Sequence, residues 1–225
     1  MNASLEAGIA ASREWPIGDG GVQRDRRFYP SVKRALDLIV AGLLLIVLCP
    51  LFGLIALAIV LDSRGPPLFR QTRIGVLGRP FEMLKFRTMI SERRVRRATP
   101  PLGMVERRRV HKSPYDPRVT QVGRPLRRTC LDELPQLWNV LHGDVSLVGP
   151  RPELPQIVER YEAWQHARHV VAPGITGWWQ VNRDDRLMHQ ATELDLHYVQ
   201  HQSFWFDVMI LAKTVRVLIR GIGAF

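Results

Sequence analysis

A mostly helical α+β protein seated on a membrane is the fold class that this chain predicts, and three observations predict it. The run from Leu38 to Leu61 (LIVAGLLLIVLCPLFGLIALAIVL) carries no charge along its whole length. Between residues 66 and 89, short apolar stretches are broken by Gly75 and by Gly78 to Pro80, which reads as a hairpin of strands. From Glu193 to Ile219 apolar residues return at helical spacing, at Phe204, Val208, Leu211, Val215 and Leu218. Of the 225 residues 46% are hydrophobic, enough for a buried core, and the net charge is +11. That sign points to an anionic partner: nucleic acid, anionic lipid or a phosphorylated small molecule.

Residues 1–30 are polar, with a turn-forming cluster at Gly18, Asp19, Gly20 and Gly21, and read as a flexible N-terminal arm. Residues 31–63 form the membrane segment. As a straight helix the apolar run would measure roughly 36 Å, against about 30 Å for a bilayer core. It is too long for the apolar core of a signal peptide and has no small-residue cleavage site. Two features favour a helix that enters, breaks at Pro50 and returns to the same side. Pro50 stands near the midpoint and removes a main-chain donor. Basic residues flank both ends, Lys33 and Arg34 before the run and Arg64, Arg70 and Arg73 after it. A spanning helix would leave one group on the wrong side of the positive-inside rule. Lys33, Arg34 and Asp37 are expected to anchor the segment at the membrane interface, with Asp37 pairing to the two cations.

Residues 64–225 make up the rest of the fold. Its first half holds most of the excess charge, and the proline-interrupted stretch 91–115 (SERRVRRATPPLGMVERRRVHKSPY) reads as a loop. A helix is expected from about Asp132 to Leu141 and another from about Pro152 to Val170. Between them GDVSLVGPRP (143–152) gives a short strand and a tight loop, and GITGWWQV (174–181) a second strand or loop. The C-terminal helix, 203–219, opens on Phe204, Trp205 and Phe206; its apolar face suits a bilayer interface as well as a protein core. Cys49 and Cys130 form no CxxC pair and imply a reducing compartment. His166 and His169 have metal-ligand spacing but no third ligand nearby, and read as polar surface.

TCLDELPQLWNV (129–140) places Asp132 and Glu133 side by side before an apolar helix. Capping alone accounts for that pattern, since Asp suits an N-cap, Glu the first turn and Pro135 a position with no hydrogen bond to lose. The cations around it change the reading. Arg127 and Arg128 precede the pair, Pro150, Arg151 and Pro152 supply an arginine in a rigid loop, and LKFRTM adds Lys85 and Arg87 on one face of a strand. Together they suit a diphosphate, which Arg binds in bidentate fashion. A carboxylate in such a cage is expected to stay ionised, and either to bind Mg²⁺ or to attack phosphorus itself.

The segments KRALDLIVA (33–41), PPLFRQTRIG (66–75), LKFRTM (84–89), DPRVTQVGRPLRRTCLDELPQLWNVLHGDVSLVGPRPE (116–153), PGITGWWQVN (173–182) and ELDLHYV (193–199) resemble the bacterial sugar transferase family. These are the monotopic polyprenyl-phosphate phosphoglycosyl transferases, and the likeness covers about residues 31–225. It implies transfer of a sugar-1-phosphate from a UDP-sugar to undecaprenyl phosphate with release of UMP, opening exopolysaccharide, capsule or glycoconjugate synthesis. It implies a cytoplasmic catalytic domain at the inner membrane, with interfacial amphipathic helices. By the same resemblance Asp132 is the nucleophile, with Mg²⁺ at the site, and Glu133 assists. Arg127, Arg151 and the Pro150–Pro152 loop face phosphates and nucleotide, and Pro50 is the helix break. The chain departs from the family pattern at RDDRLMHQAT (183–192), where a Gly-Arg-Asn-like turn is usual. The competing class is a non-enzymatic, membrane-tethered basic module binding anionic lipid or nucleic acid, carried by the arginines of 91–112. No nucleic-acid motif accompanies them, and no nucleic-acid partner is expected.

Overall fold

A computed structural model describes residues 29–90, 116, 118–182 and 188–220. The expected arm (but for its last two residues), the basic stretch 91–115 and residues 183–187 of the departure lie outside these. Helix α1 spans Tyr29–Asp62, begins slightly before its expected start and is helical on both sides of Pro50. It is no core helix: its most apolar eighteen residues have a mean hydropathy of 3.1, and 11% of them are buried. Leu43, Ile46, Val47, Leu54, Leu57 and Leu61 are all exposed. By length and composition α1 is able to cross a membrane.

Strands β1 (Leu68–Ile74) and β2 (Pro80–Phe86) form the expected antiparallel hairpin, Leu68 opposite Phe86 and Ile74 opposite Pro80. Its turn relies on Gly78 at φ +72, a conformation glycine adopts without a Cβ penalty. Helix α2 (Gly123–Arg128) then leads to a 3₁₀ turn at Leu131–Glu133 and to α3 (Gln136–His142). The expected single helix from Asp132 is thus divided. Pro135 has no N–H to continue an α-helical ladder, so α3 starts after it. Asn139 of α3 donates to the Glu82 carbonyl (2.7 Å) and accepts the Leu84 N–H (3.0 Å), imitating a further strand beside β2.

Two apolar contacts and several polar pins root α1 in this domain. Ala41, fully buried, packs on Leu137, Val140 and Val145, while Ile55 and Ile59 pack on Phe86 and Leu126. Leu134 touches both groups. Arg34 caps α3 by donating to the carbonyls of Val140 (2.6 Å) and Leu141 (3.0 Å) at the helix end, Val140 O also accepting the Gly143 N–H (3.1 Å). Lys33 pairs with Asp207, and Asp37 accepts the N–H of Leu147 at 3.1 Å. The expected pairing of Asp37 with Lys33 and Arg34 is therefore replaced. All three tie α1 to the domain, each through a polar partner on another element.

Strands β3 (Ser146–Val148) and β4 (Gly174–Thr176) run parallel, Ser146 opposite Gly174. A Cβ on Gly174 would collide with the main-chain nitrogen of Gly149 and the carbonyl oxygen of Thr176. Neither atom can rotate away, so Gly174→Ala must push the strands apart. We expect it to lower stability by about 1–3 kcal/mol and the melting temperature by roughly 2–12 °C. Thermal unfolding in detergent checks this; an unchanged melting point would mean the strands yield freely.

The expected helix from Pro152 to Val170 is also divided, into α4 (Pro155–Val158) and a 3₁₀ segment at Ala163–Val170. Leu154 is extended (ψ 143°), as a residue before proline prefers, and Glu162 opens the second piece with a capping box to Gln165. Three residues per turn bring His166 and His169 to one side. They are buried, not surface, with exposures of 4% and 5%, and lie 5.6 and 6.0 Å from the Tyr161 ring. Burial lowers the pKa of both. No group of three potential metal ligands occurs among the described residues.

Helices α5 (Trp178–Asn182), α6 (Thr192–His201) and α7 (Phe204–Arg220) complete the fold. The long C-terminal helix breaks after His201, and Ser203 Oγ accepts the Phe206 N–H (3.3 Å) as a cap for α7. The aromatic triplet splits between two environments. Phe206 packs on Tyr198 and Trp178, whereas Phe204 and Trp205 are exposed, Trp205 at 77%.

Candidate active site

Asp132 and Glu133 stand in the 3₁₀ turn that joins α2 to α3. The chain enters it through Cys130 at φ +56, a left-handed conformation that costs a non-glycine residue energy and concentrates at functional sites. Main-chain bonds hold that entry, Cys130 N–H to Arg127 O (3.2 Å) and Glu133 N–H to Cys130 O (3.1 Å). Neither carboxylate caps a helix end through its side chain. The capping account of this motif is therefore set aside.

Glu133 takes the cations. Lys85, on β2, donates to Oε1 at 2.7 Å, and Arg151 donates to Oε1 at 2.6 Å and Oε2 at 3.4 Å. Burial alone would push the Glu133 carboxyl up, but Arg151 and Lys85 together outweigh it and hold it well below the usual range. Burial pushes the Lys85 ammonium down, against the opposing pull of Glu133. Asp132 is left in the reverse position. Burial first, and the Glu133 charge second, push its carboxyl up to about 6, against weaker pulls from Lys85, Arg151 and Arg127. The expected cage thus keeps Glu133, not Asp132, firmly ionised.

The loop after β3 presents Arg151 between two prolines, and donors from outside hold its successive carbonyls. Pro150 O accepts the Gly174 N–H (2.9 Å), Arg151 O accepts Arg168 Nη2 (2.6 Å), Pro152 O accepts Arg73 Nη1 (3.3 Å), and Glu153 O accepts the Ile74 N–H (2.9 Å). Both hairpin and β4 therefore fix where Arg151 begins. Of the residues singled out in the sequence, Asp132, Glu133, Lys85, Arg127, Pro150, Arg151 and Pro152 converge here. Arg87 does not. It donates to the carbonyls of Ser63 (2.7 Å) and Arg64 (2.9 Å), closing the end of α1. Strand β2 ends at Phe86, so the alternation that placed Arg87 beside Lys85 no longer applies.

Sequence reasoning missed Arg168 and Asp195. Both are fully buried and paired at 2.6 Å, and burial pushes Asp195 up to about 6. The signal was a charge on the apolar face of a short segment, visible in EAWQHARH and ELDLHYV but with nothing local to mark burial.

An exposed apolar helix, rooted by buried polar contacts in a basic domain with a caged carboxylate pair, defines a membrane-associated protein. The chain belongs to the bacterial sugar transferase family, whose profile matches residues 28–221. It is 44% identical over 207 residues to the undecaprenyl-phosphate glucose phosphotransferase of Komagataeibacter xylinus, covering 86% of this chain and 37% of that protein. Identity to the UDP-glucose:undecaprenyl-phosphate glucose-1-phosphate transferase of Caulobacter vibrioides is 43% over 202 residues, 86% of this chain and 72% of the relative. With the UDP-N-acetylgalactosamine-undecaprenyl-phosphate N-acetylgalactosaminephosphotransferase of Aeromonas hydrophila it is 37% over 205 residues, 87% and 45% respectively. The chain thus spans less than half of the first and third of these relatives.

Proposed function

We propose that this protein transfers a sugar-1-phosphate from a UDP-sugar to undecaprenyl phosphate at the cytoplasmic face of a bacterial inner membrane. The carrying observation is the split within the dyad: Glu133 is locked by Lys85 and Arg151, while Asp132 beside it engages neither cation by a hydrogen bond. A half-buried carboxylate freed from ion pairing is a better nucleophile than a paired one. In the first step an Asp132 carboxylate oxygen bonds to the β-phosphorus, the bond from that phosphorus to the bridging oxygen breaks, and UMP leaves. In the second, a phosphate oxygen of the lipid attacks the same phosphorus and releases Asp132. Arg151 and Arg127 are the residues that meet phosphate oxygens, and Lys85 and Glu133 keep Arg151 aimed.

A magnesium ion fits this donor set in one way. Both oxygens of Glu133 are engaged, so Asp132 is the carboxylate left to contact a cation, and magnesium is commonly held by one carboxylate together with substrate phosphates. When bound it would neutralise charge on the diphosphate.

The packing of α1 supports a monotopic, re-entrant course. Both ends are pinned to one small domain, Lys33 and Arg34 at the start, Asp62 to the Val122 N–H (3.0 Å) and Ser63 to Arg87 at the finish. A straight helix crossing a bilayer would carry one end about 30 Å from the other face. Leu134 packs on two apolar clusters, one holding Ala41 from before Pro50 and the other Ile55 and Ile59 from after it, which suits a bend near Pro50.

The test is single turnover without lipid. Protein incubated with UDP-sugar labelled at the β-phosphate, across UDP-glucose, UDP-galactose and UDP-N-acetylgalactosamine, is expected to take up label and release one UMP. Release of UMP only after lipid is added would favour direct transfer, and no release with any sugar would sink the reading.

A further inference from the structure

Four carbonyls of the 150–153 loop are held from outside, but one donor differs in kind from the rest. Arg168 is a buried guanidinium that makes three contacts at once. It donates to Tyr161 Oη (2.6 Å) and Arg151 O (2.6 Å) and pairs with Asp195 (2.6 Å). Its side chain is 1% exposed and that of Asp195 0%. Burying a charge pair is expensive, and apolar residues of similar volume commonly do as well for stability. A fold that places such a pair behind a two-proline loop has a reason other than core packing to keep it.

We propose that Arg168, neutralised by Asp195, is a positioning residue that holds the Arg151 main chain so that the Arg151 guanidinium reaches Glu133 and the substrate phosphate beside it. The loop has little means of holding itself. Pro150 and Pro152 lack N–H groups, and the Arg151 carbonyl takes its hydrogen bond from the Arg168 side chain (2.6 Å). Arg suits the task because its planar fork directs donors to Tyr161 and Arg151 together, which a lysine ammonium cannot do in fixed geometry. A shift of about 1 Å at Arg151 is enough to lower turnover on the order of 100-fold. The part that concerns substrate rests on the proposed transfer reaction; the part that concerns the loop does not.

The decisive variant is Arg168→Met with Asp195→Leu, which removes both charges and leaves no unpaired ion behind. It is expected to melt close to the wild type yet lose roughly 100-fold in kcat/KM for UDP-sugar, with KM raised. A folded double variant with kcat/KM within about threefold of wild type would overturn the proposal. Should the double variant fail to fold, Arg168→Lys keeps the charge but not the fork, and is expected to lose at least about tenfold; wild-type rates there overturn it equally. Hydrogen exchange over residues 146–154 provides an arm that needs no turnover. Exchange in Arg168→Lys is expected to speed up there and not in α3, and an unchanged segment counts against the positioning role. A wild type that releases no UMP, with faster loop exchange in the variant, would reject the reaction while leaving the positioning role standing.

Discussion

Asp132→Asn is expected to fold as the wild type does and to take up no label from β-phosphate-labelled UDP-sugar, with turnover reduced on the order of 10³-fold or more. The substitution is nearly isosteric and removes a charge that burial already disfavours, so stability should hold or rise slightly. Activity should not, because an amide lacks the anionic oxygen that forms the bond to phosphorus. Normal turnover in a folded Asp132→Asn protein would exclude this residue as nucleophile. The pH dependence follows with a definite sign. The Asp132 pKa is raised to about 6, so the carboxylate is present above that pH and is lost as pH falls through it. First-step rates are expected to fall about tenfold per pH unit on the acid side. Glu133→Gln should move that limb to lower pH, since it removes the neighbouring charge and releases Lys85 and Arg151 toward Asp132. A limb that stays in place would mean another group controls it.

Asp207→Ala carries the largest expected effect on stability. The Asp207 carboxylate accepts from Tyr29 Oη (2.6 Å), Tyr198 Oη (2.8 Å) and Lys33, joining the root of α1 to α6 and α7. Tyr198 Oη also lies 3.1 Å from the Val148 carbonyl, at the end of the strand that leads to Arg151. Lys33 and Asp207 are nearly buried, with side-chain exposures of 10% and 12%, so removing one partner strands the other. The cost is about 3–5 kcal/mol, a fall of roughly 10 °C or more in melting temperature. Lys33→Met combined with Asp207→Leu should recover much of it, since no unpaired ion remains. A single variant that melts within about a degree of wild type would show the pair to be dispensable.

Several parts of this architecture were legible because they depend on near neighbours in the chain. The apolar run of α1, the glycines that turn the hairpin and the strand before GPRP are each encoded within a few residues. Helix length was less legible. Pro135, Pro155 and Ser203 each end or begin an element, yet periodicity alone carried the expected helices through them. The site divided in the same way. Asp132, Glu133, Lys85 and Arg151 were found by residue type, whereas Arg87 was placed with them by an alternation that stops one residue too early.

What the sequence determined by itself was an uncharged helical run from Leu38 to Leu61, a basic domain and a set of carboxylates and cations suited to phosphate. Hydrophobicity, charge and turn chemistry are properties of residues and their immediate neighbours, so they survive reading in one dimension. Which cation meets which carboxylate was decided only in three dimensions. Lys85 and Arg151 lie far from Glu133 in the chain and reach it from a strand and a loop, leaving Asp132 half-buried beside them with a raised pKa. Ion pairing and desolvation depend on distance and burial, and both arise only when the chain has folded.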